Sequence, residues 1–258
     1  MPCFIAKDQL SGASTPIEIC LLSADQYTAW HAQQSPSHQR WADHHGFKAK
    51  PGQSVMVPGE DGSVAAVWVG VDPERSPLWT LVSLPAKLPE GPYRLSNDSL
   101  QHWPEHLQPL AYVGFGLACY SFDRYKDQTC PAAQMVLPES AATEVEALVQ
   151  ASHLARDIVN TPTNDMGPEA LSDTAKAMAQ DHGADFCVIL GDELAQSFPA
   201  IHAVGRASVH PPRLITMKWG REDAPSLALV GKGVVFDSGG LSIKPAAGMA
   251  VMKKDLGG

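Results

Sequence analysis

The sequence predicts a mixed α/β protein in two parts joined by a long helix. Three observations predict it. The first half carries short apolar runs punctuated by Gly, Pro and Asp, the pattern of strands and turns. Next, Val145, Leu148, Val149, Ala155, Ile158 and Val159 recur at spacings of three and four, one apolar stripe along a helix. Beyond that stripe, helix-like and strand-like segments alternate, the pattern of a layered α/β domain.

Taken in order, residues 17–22, 64–71, 79–84 and 111–122 read as strands, the last with Gly114 and Gly116 inside it. Weaker helical patterns lie at residues 24–33 and 96–106. Leu137-Pro138 opens the long helix. It is expected to end near Asn160-Thr161-Pro162, because a proline disfavours helix at the residue before it. Pro168 suits a first helical position after Gly167, and Gly183 suits the stop of that helix. Residues 185–190 read as a strand, 192–197 as a short helix, and 213–219 and 227–230 as strands. The expected organisation is an N-terminal domain over residues 1–137, a linking helix over 138–162, and a catalytic part over 163–258.

Composition narrows the function classes. The 258 residues are 44% hydrophobic and 18% charged, an ordinary globular balance. A net charge of −9 is a poor match for phosphate backbones, so nucleic acid is not an expected partner. Cys3, Cys20, Cys119, Cys130 and Cys187 are scattered without a CxxC, which suits reduced thiols. Residues 1–7 lack the basic and apolar regions of a secretory signal. The apolar stretch 110–122 is too short to span a bilayer. A soluble, cytoplasmic protein is expected.

The chemistry concentrates at residues 229–258. Strand 227–230 is expected to run into Gly231-Lys232-Gly233, where two glycines let the backbone turn sharply and bring the lysine close to a ligand. Asp237 follows an apolar run and precedes Gly239-Gly240, so a cation can approach its carboxylate without crowding. Lys244 and Asp255 complete a set of two lysines and two carboxylates. Open α/β sheets place sites at carboxyl ends of strands, which suits Lys232 and Asp237. The residues alone leave ordinary ion pairs open as the alternative. They do exclude two phosphate motifs. A P-loop needs Ser or Thr where Gly233 stands and glycine where Ser226 stands. A dinucleotide fingerprint needs glycine where Phe236 stands.

The stretch VGKGVVFDSGGLSIKP followed by MKKDLGG resembles the signature of the leucyl (cytosol) aminopeptidase family. An earlier stretch agrees with it: residues 155–162, then Asn164-Asp165-Met166-Gly167-Pro168, which are similar to the start of that family's catalytic domain. The resemblance implies a macro-like α/β N-terminal domain, then a zinc-peptidase-like α/β catalytic domain that is incomplete here. It implies Lys232, Asp237 and Asp255 as metal ligands, with Asp237 bridging two ions. It implies Lys244 as a catalytic lysine and Met252 as a wall of the pocket for the substrate's first side chain. A lysine can be a ligand because a nearby dication favours the neutral amine.

The implied reaction is removal of N-terminal residues, leucine-like by preference, from peptides with a free N-terminus. Two divalent ions, Mn²⁺ or Zn²⁺, about 3.5–4 Å apart would clamp the attacking and leaving oxygens. One of them would hold the peptide's amino group, and Lys244 would stabilise charge on the carbonyl oxygen. Bicarbonate held by an arginine is the implied proton shuttle, and a homo-hexamer the implied assembly. That arginine and two further carboxylate ligands belong to an NTDAEGR-like motif expected downstream of Gly258. The 258 residues alone are therefore expected to bind metal weakly and hydrolyse nothing.

Other readings compete. One is a short paralogue that acts as a binding or assembly partner. Another is a nucleotide-derivative module in the N-terminal domain, for which no glycine-rich phosphate loop is evident. A DNA-binding architectural role, seen within the resembled family, sits poorly with the −9 charge. His102-Trp103-Pro104-Glu105-His106 matches an H-x-x-E-H zinc pattern, but Pro104 between the histidines argues against one helical face. His44-His45 reads as a polar loop, and Trp103, Tyr112, Phe115 and Tyr120 as core packing rather than a base-stacking platform.

Overall fold

The computed structural model describes residues 3–6, 9–10, 15–126, 131–235, 245, 247–248 and 252–257. The chain divides into two compact units, Met1–His153 and Leu154–Gly258.

The first unit is built on one six-stranded sheet. Its elements in chain order are β1 (Phe4–Ile5), β2 (Ile17–Ser23), α1 (Ala24–Ala32), α2 (Pro36–His44), β3 (Ser54–Pro58), β4 (Val64–Val71), β5 (Gly91–Leu95), α3 (Pro109–Ala118), β6 (Ala133–Val136) and the start of α4 (Glu139–Asn160). The strand order is β1-β6-β5-β2-β4-β3. Every neighbouring pair is parallel except β3 and β4. Parallel strands are covered on both faces, which is why β4 reads as nearly continuous Val, Ala and Trp. Two apolar clusters result. One gathers Ile19, Leu21, Val67, Val69, Tyr93, Phe115, Met135 and Val145. The other places Leu22, Tyr27, Phe47, Val57 and Trp68 together.

Glycine is required at two close approaches. A Cβ at Gly114 in α3 would lie 1.8 Å from the Leu78 carbonyl oxygen. A Cβ at Gly70 in β4 would lie 2.1 Å from the Lys50 carbonyl oxygen. Both obstacles are backbone and cannot rotate away.

Several expectations are corrected here. Residues 111–122 were expected as a strand, yet α3 is a helix. A continuous apolar run does not distinguish the two by period. Pro109 opens the helix, and its glycines serve close packing rather than turns. Residues 79–84 also form no strand. Pro77–Trp79 is a 3-10 turn, with Ser76 Oγ accepting from the Leu78 amide. Leu81, Leu84 and Leu88 are then buried at spacings of three and four, as in successive turns. Residues 96–106 hold turns and a 3-10 segment, Glu105–Leu107, instead of an α-helix. Their polar side chains bond one another, as Gln101 Nε2 donates to Asp98 Oδ1, or reach back to β2, as Ser99 does. His44-His45 is no loop either, since His44 ends α2 and His45 caps it. The short strands β1, β3, β5 and β6 and the helix α2 went unread, because strands of two to five residues carry too few positions to show a period.

The second unit begins within α4 and continues with α5 (Pro168–Asp181), β7 (Asp185–Leu190), α6 (Gly191–Ser197), α7 (Pro199–Gly205) and β8 (Arg213–Lys218). The expected start of α5 at Pro168 and its stop before Gly183, which has φ +64°, are both observed. β7 and β8 pair antiparallel, with Asp185 opposite Lys218 and Leu190 opposite Arg213. Residues 227–230 are not a strand: they have no ladder partner among the described residues. Leu227, Leu229 and Val230 are 84%, 88% and 95% exposed. On the α4 stripe Val145 and Val149 are buried, whereas Leu148 and Ala155 are exposed. Among the described residues no helix is long and apolar enough to cross a membrane.

Candidate functional site

The residues that carry the expected chemistry sit in the second unit. Its opening is well defined. At the end of α4 the Thr161 amide and hydroxyl both donate to the Asp157 carbonyl, at 2.9 and 2.6 Å. Thr161 is thereby a buried, fully satisfied stop for the helix. The Asp165 and Met166 amides then both donate to the Pro162 carbonyl, and Met166 is buried. Residues 155–168, half of the sequence resemblance, thus form a helix end, a tight turn and the start of α5.

Lys232 lies in an exposed stretch without regular structure, after the segment expected to be a strand. Gly233 follows it, with its Cβ direction facing Leu171 of α5 at 3.2 Å. Met252 is partly exposed and opens a 3-10 segment, Met252–Gly257, in which Leu256 is buried. Asp255 lies in the same segment, with its backbone described but not its side chain. Asp237 and Lys244 lie outside the described residues. Among the described residues no three His, Cys, Asp or Glu side chains converge as a metal cluster. His102 and His106 belong to no such group, and Pro104 between them is the N-cap of the Glu105–Leu107 turn. Trp103, Tyr112 and Phe115 are buried, as core packing requires, and the Trp103 indole N–H donates to the Arg75 carbonyl at 2.8 Å.

The first unit has a crevice of its own that sequence reasoning missed. The chain leaves β2 towards β4 on one side and leaves β5 towards β6 on the other. Such a reversal opens a gap at the carboxyl ends of the strands. A crevice of 390 Å³ lies there, lined by Cys20, Trp30, Ser96, Asp98, Ser99 and His102 among others. Ser99 anchors its floor. Its Oγ accepts the Leu21 amide at 3.0 Å and donates to the Ile19 carbonyl at 3.1 Å. Ser96 must then supply the proton in the 2.7 Å contact between the two hydroxyls. Burial pushes the Cys20 thiol up from its ordinary range. Among the described residues no lysine or arginine lines the crevice.

Comparison with known proteins places both units. The model of the M17 aminopeptidase N-terminal domain matches residues 16–138, and that of the cytosol aminopeptidase catalytic domain matches residues 153–258. A probable cytosol aminopeptidase of Allorhizobium ampelinum is 38% identical over 182 residues, which is 64% of this chain and 36% of the relative. One from Corynebacterium glutamicum is 39% identical over 160 residues, 57% of this chain and 32% of the relative. Among solved structures, the cytosol aminopeptidase of Coxiella burnetii superposes with a TM-score of 0.90 at 36% identity. That match covers 99% of this chain and 55% of the other. The bottromycin maturation enzyme BotP, solved in complex with Mn, matches with a TM-score of 0.77 at 30% identity, over 95% of this chain and 54% of its own. The chain thus spans about a third of the length of these curated relatives and about half of these solved structures.

Proposed function

Because the chain belongs to the cytosol aminopeptidase family, we propose that it supplies the N-terminal domain and the first part of the catalytic domain of a two-metal aminopeptidase. The observation that carries this reading is one of order and place. The motif residues of 230–245 and 252–258 fall inside the segment matched by the catalytic-domain model. The domains are proposed as residues 1–137 and 163–258, joined by a linking helix over 138–162.

The donor set fits divalent ions such as Zn²⁺ or Mn²⁺, since an amine and two carboxylates are nitrogen and oxygen ligands. BotP, solved with Mn, supports manganese as the first ion to test. When bound, the two ions would polarise the scissile carbonyl and make a water more acidic. Asp237 has two oxygens and can turn one towards each ion. Asp255 adds a carboxylate. Lys232 would add an amine nitrogen to the ligand set. Lys244 keeps its proton and sets a positive charge against the carbonyl oxygen as negative charge develops there. Met252 offers a flexible thioether wall to a leucine-like side chain. Peptides with a free N-terminus are the proposed substrates, bicarbonate the proton shuttle, a homo-hexamer the assembly and the cytoplasm the location.

The test is hydrolysis of leucine p-nitroanilide with added Mn²⁺ by the protein expressed from its full reading frame. Turnover that chelators abolish and Mn²⁺ restores is expected. No turnover with any divalent ion would overturn the reading in favour of a binding or assembly partner. The 258-residue chain alone is expected to show none.

A further inference from the structure

We infer that Cys3 and Cys119 form a dithiol that hydrogen peroxide converts to a disulfide, a modification site in the first unit remote from the proposed catalytic residues in sequence. The two cysteines are far apart along the chain but meet in the fold. Cys3 immediately precedes β1, and its carbonyl accepts the Met135 amide of β6 at 2.9 Å. Cys119 is the C-cap of α3, its own amide donating to the Phe115 and Gly116 carbonyls. α3 packs directly on β1. The Phe4 and Phe115 ring centroids are 6.5 Å apart, and a Cβ at Gly116 would lie 2.7 Å from Phe4 Cζ. This contact brings the thiols into mutual hydrogen bonding, with both residues half-buried against the same apolar cluster.

The Cys119 thiol, by hydrogen bonding to Cys3, holds the Cys3 thiol below its ordinary range, against burial and the nearby Glu146 carboxylate. Cys3, which precedes the edge strand β1, is taken as the attacking sulfur and Cys119 as the resolving one. In the first step the Cys3 sulfur bonds one peroxide oxygen, the O–O bond breaks, and hydroxide leaves to become water with the proton that Cys3 gave up. This leaves Cys3 as a sulfenic acid. In the second step the Cys119 sulfur bonds the Cys3 sulfur and the S–O bond breaks. The departing hydroxide takes the Cys119 proton as a second water. Two thiols are oxidised to a disulfide and one peroxide is reduced to two waters. The bond ties the short edge strand β1 to α3 and closes a long loop, which constrains the unfolded chain.

The experiment treats the reduced 258-residue chain with one equivalent of peroxide, alkylates it and maps the peptides under non-reducing conditions. We expect a Cys3–Cys119 cross-link within a single chain, lighter by two hydrogens, reversible by dithiothreitol and accompanied by a higher melting temperature. Dimedone is expected to label Cys3 in Cys119→Ser more than Cys119 in Cys3→Ser. The inference is overturned if Cys3 and Cys119 remain alkylated while Cys20, Cys130 or Cys187 is oxidised. Preferential dimedone labelling of Cys119 would overturn it as well. The wild-type map needs no variant, so misfolding of a mutant cannot obscure the result.

Discussion

The two units contrast in how they handle apolar side chains. In the first, parallel strands are covered on both faces, and Ile19, Val57, Tyr93 and Met135 are sealed. In the second, the described residues form a sheet of two strands, and Leu227, Leu229, Val230 and Trp219 face solvent. The unit with the settled core carries none of the proposed catalytic residues, and the unit with the proposed ligands carries little core of its own. The buried core and the proposed chemistry are thus divided between the units, and substitutions can be aimed at either.

The largest expected effect is a steric one in the first unit. Gly114→Ala drives a methyl group into the Leu78 carbonyl, so the urea midpoint should drop by the equivalent of about 3 kcal/mol or more. A variant of wild-type stability would show that α3 does not pack as described. The contrast between units is sharpest with one substitution made twice. Leu21→Ala, in the buried cluster, should cost about 2–5 kcal/mol. Leu229→Ala should stay within about 0.5 kcal/mol. Equal losses by urea denaturation would erase the difference.

Next is an alkaline effect. Burial pushes the Tyr112 phenol up to about 12. Unfolded tyrosine titrates near 10, so between pH 10 and 12 the unfolded chain releases a proton that the folded chain keeps. The stability is complete below pH 10 and is lost as pH rises through 12, by about 2–3 kcal/mol in all. Urea midpoints at pH 9 to 12 should fall with that slope in the wild type and fall less in Tyr112→Phe. A smaller loss, about 1–3 kcal/mol, is expected for Ser99→Ala, which removes the partner of the buried Leu21 amide. Faster hydrogen exchange at that amide is the readout.

Legibility in the sequence followed physical scale. α4 and α5 were readable because many turns repeat the same face and Pro168 and Gly183 mark the ends of α5. β2, β4 and β7 were readable as apolar runs between turn residues. α3 was not, because a helix buried all round has no polar face to betray its period. The crevice of the first unit was invisible, since the reversal of strand order that creates it is a property of topology rather than of any motif. The family was legible from residues 155–168 and 230–258, whose order of residue types resembles that family's signature and lies within the segment matched by its catalytic-domain model. Residues 227–230 were misread for the complementary reason: their composition suits a strand, but a strand also needs a neighbour.

The central claim is that Lys232, Asp237 and Asp255 hold a pair of cations. Metal content after dialysis against Mn²⁺, measured by mass spectrometry on the protein expressed from its full reading frame, tests it most directly. About two ions per chain are predicted for the wild type, in keeping with a two-metal site, and fewer than one for Asp237→Ala with an unchanged fold. Undiminished metal content in Asp237→Ala would contradict the account.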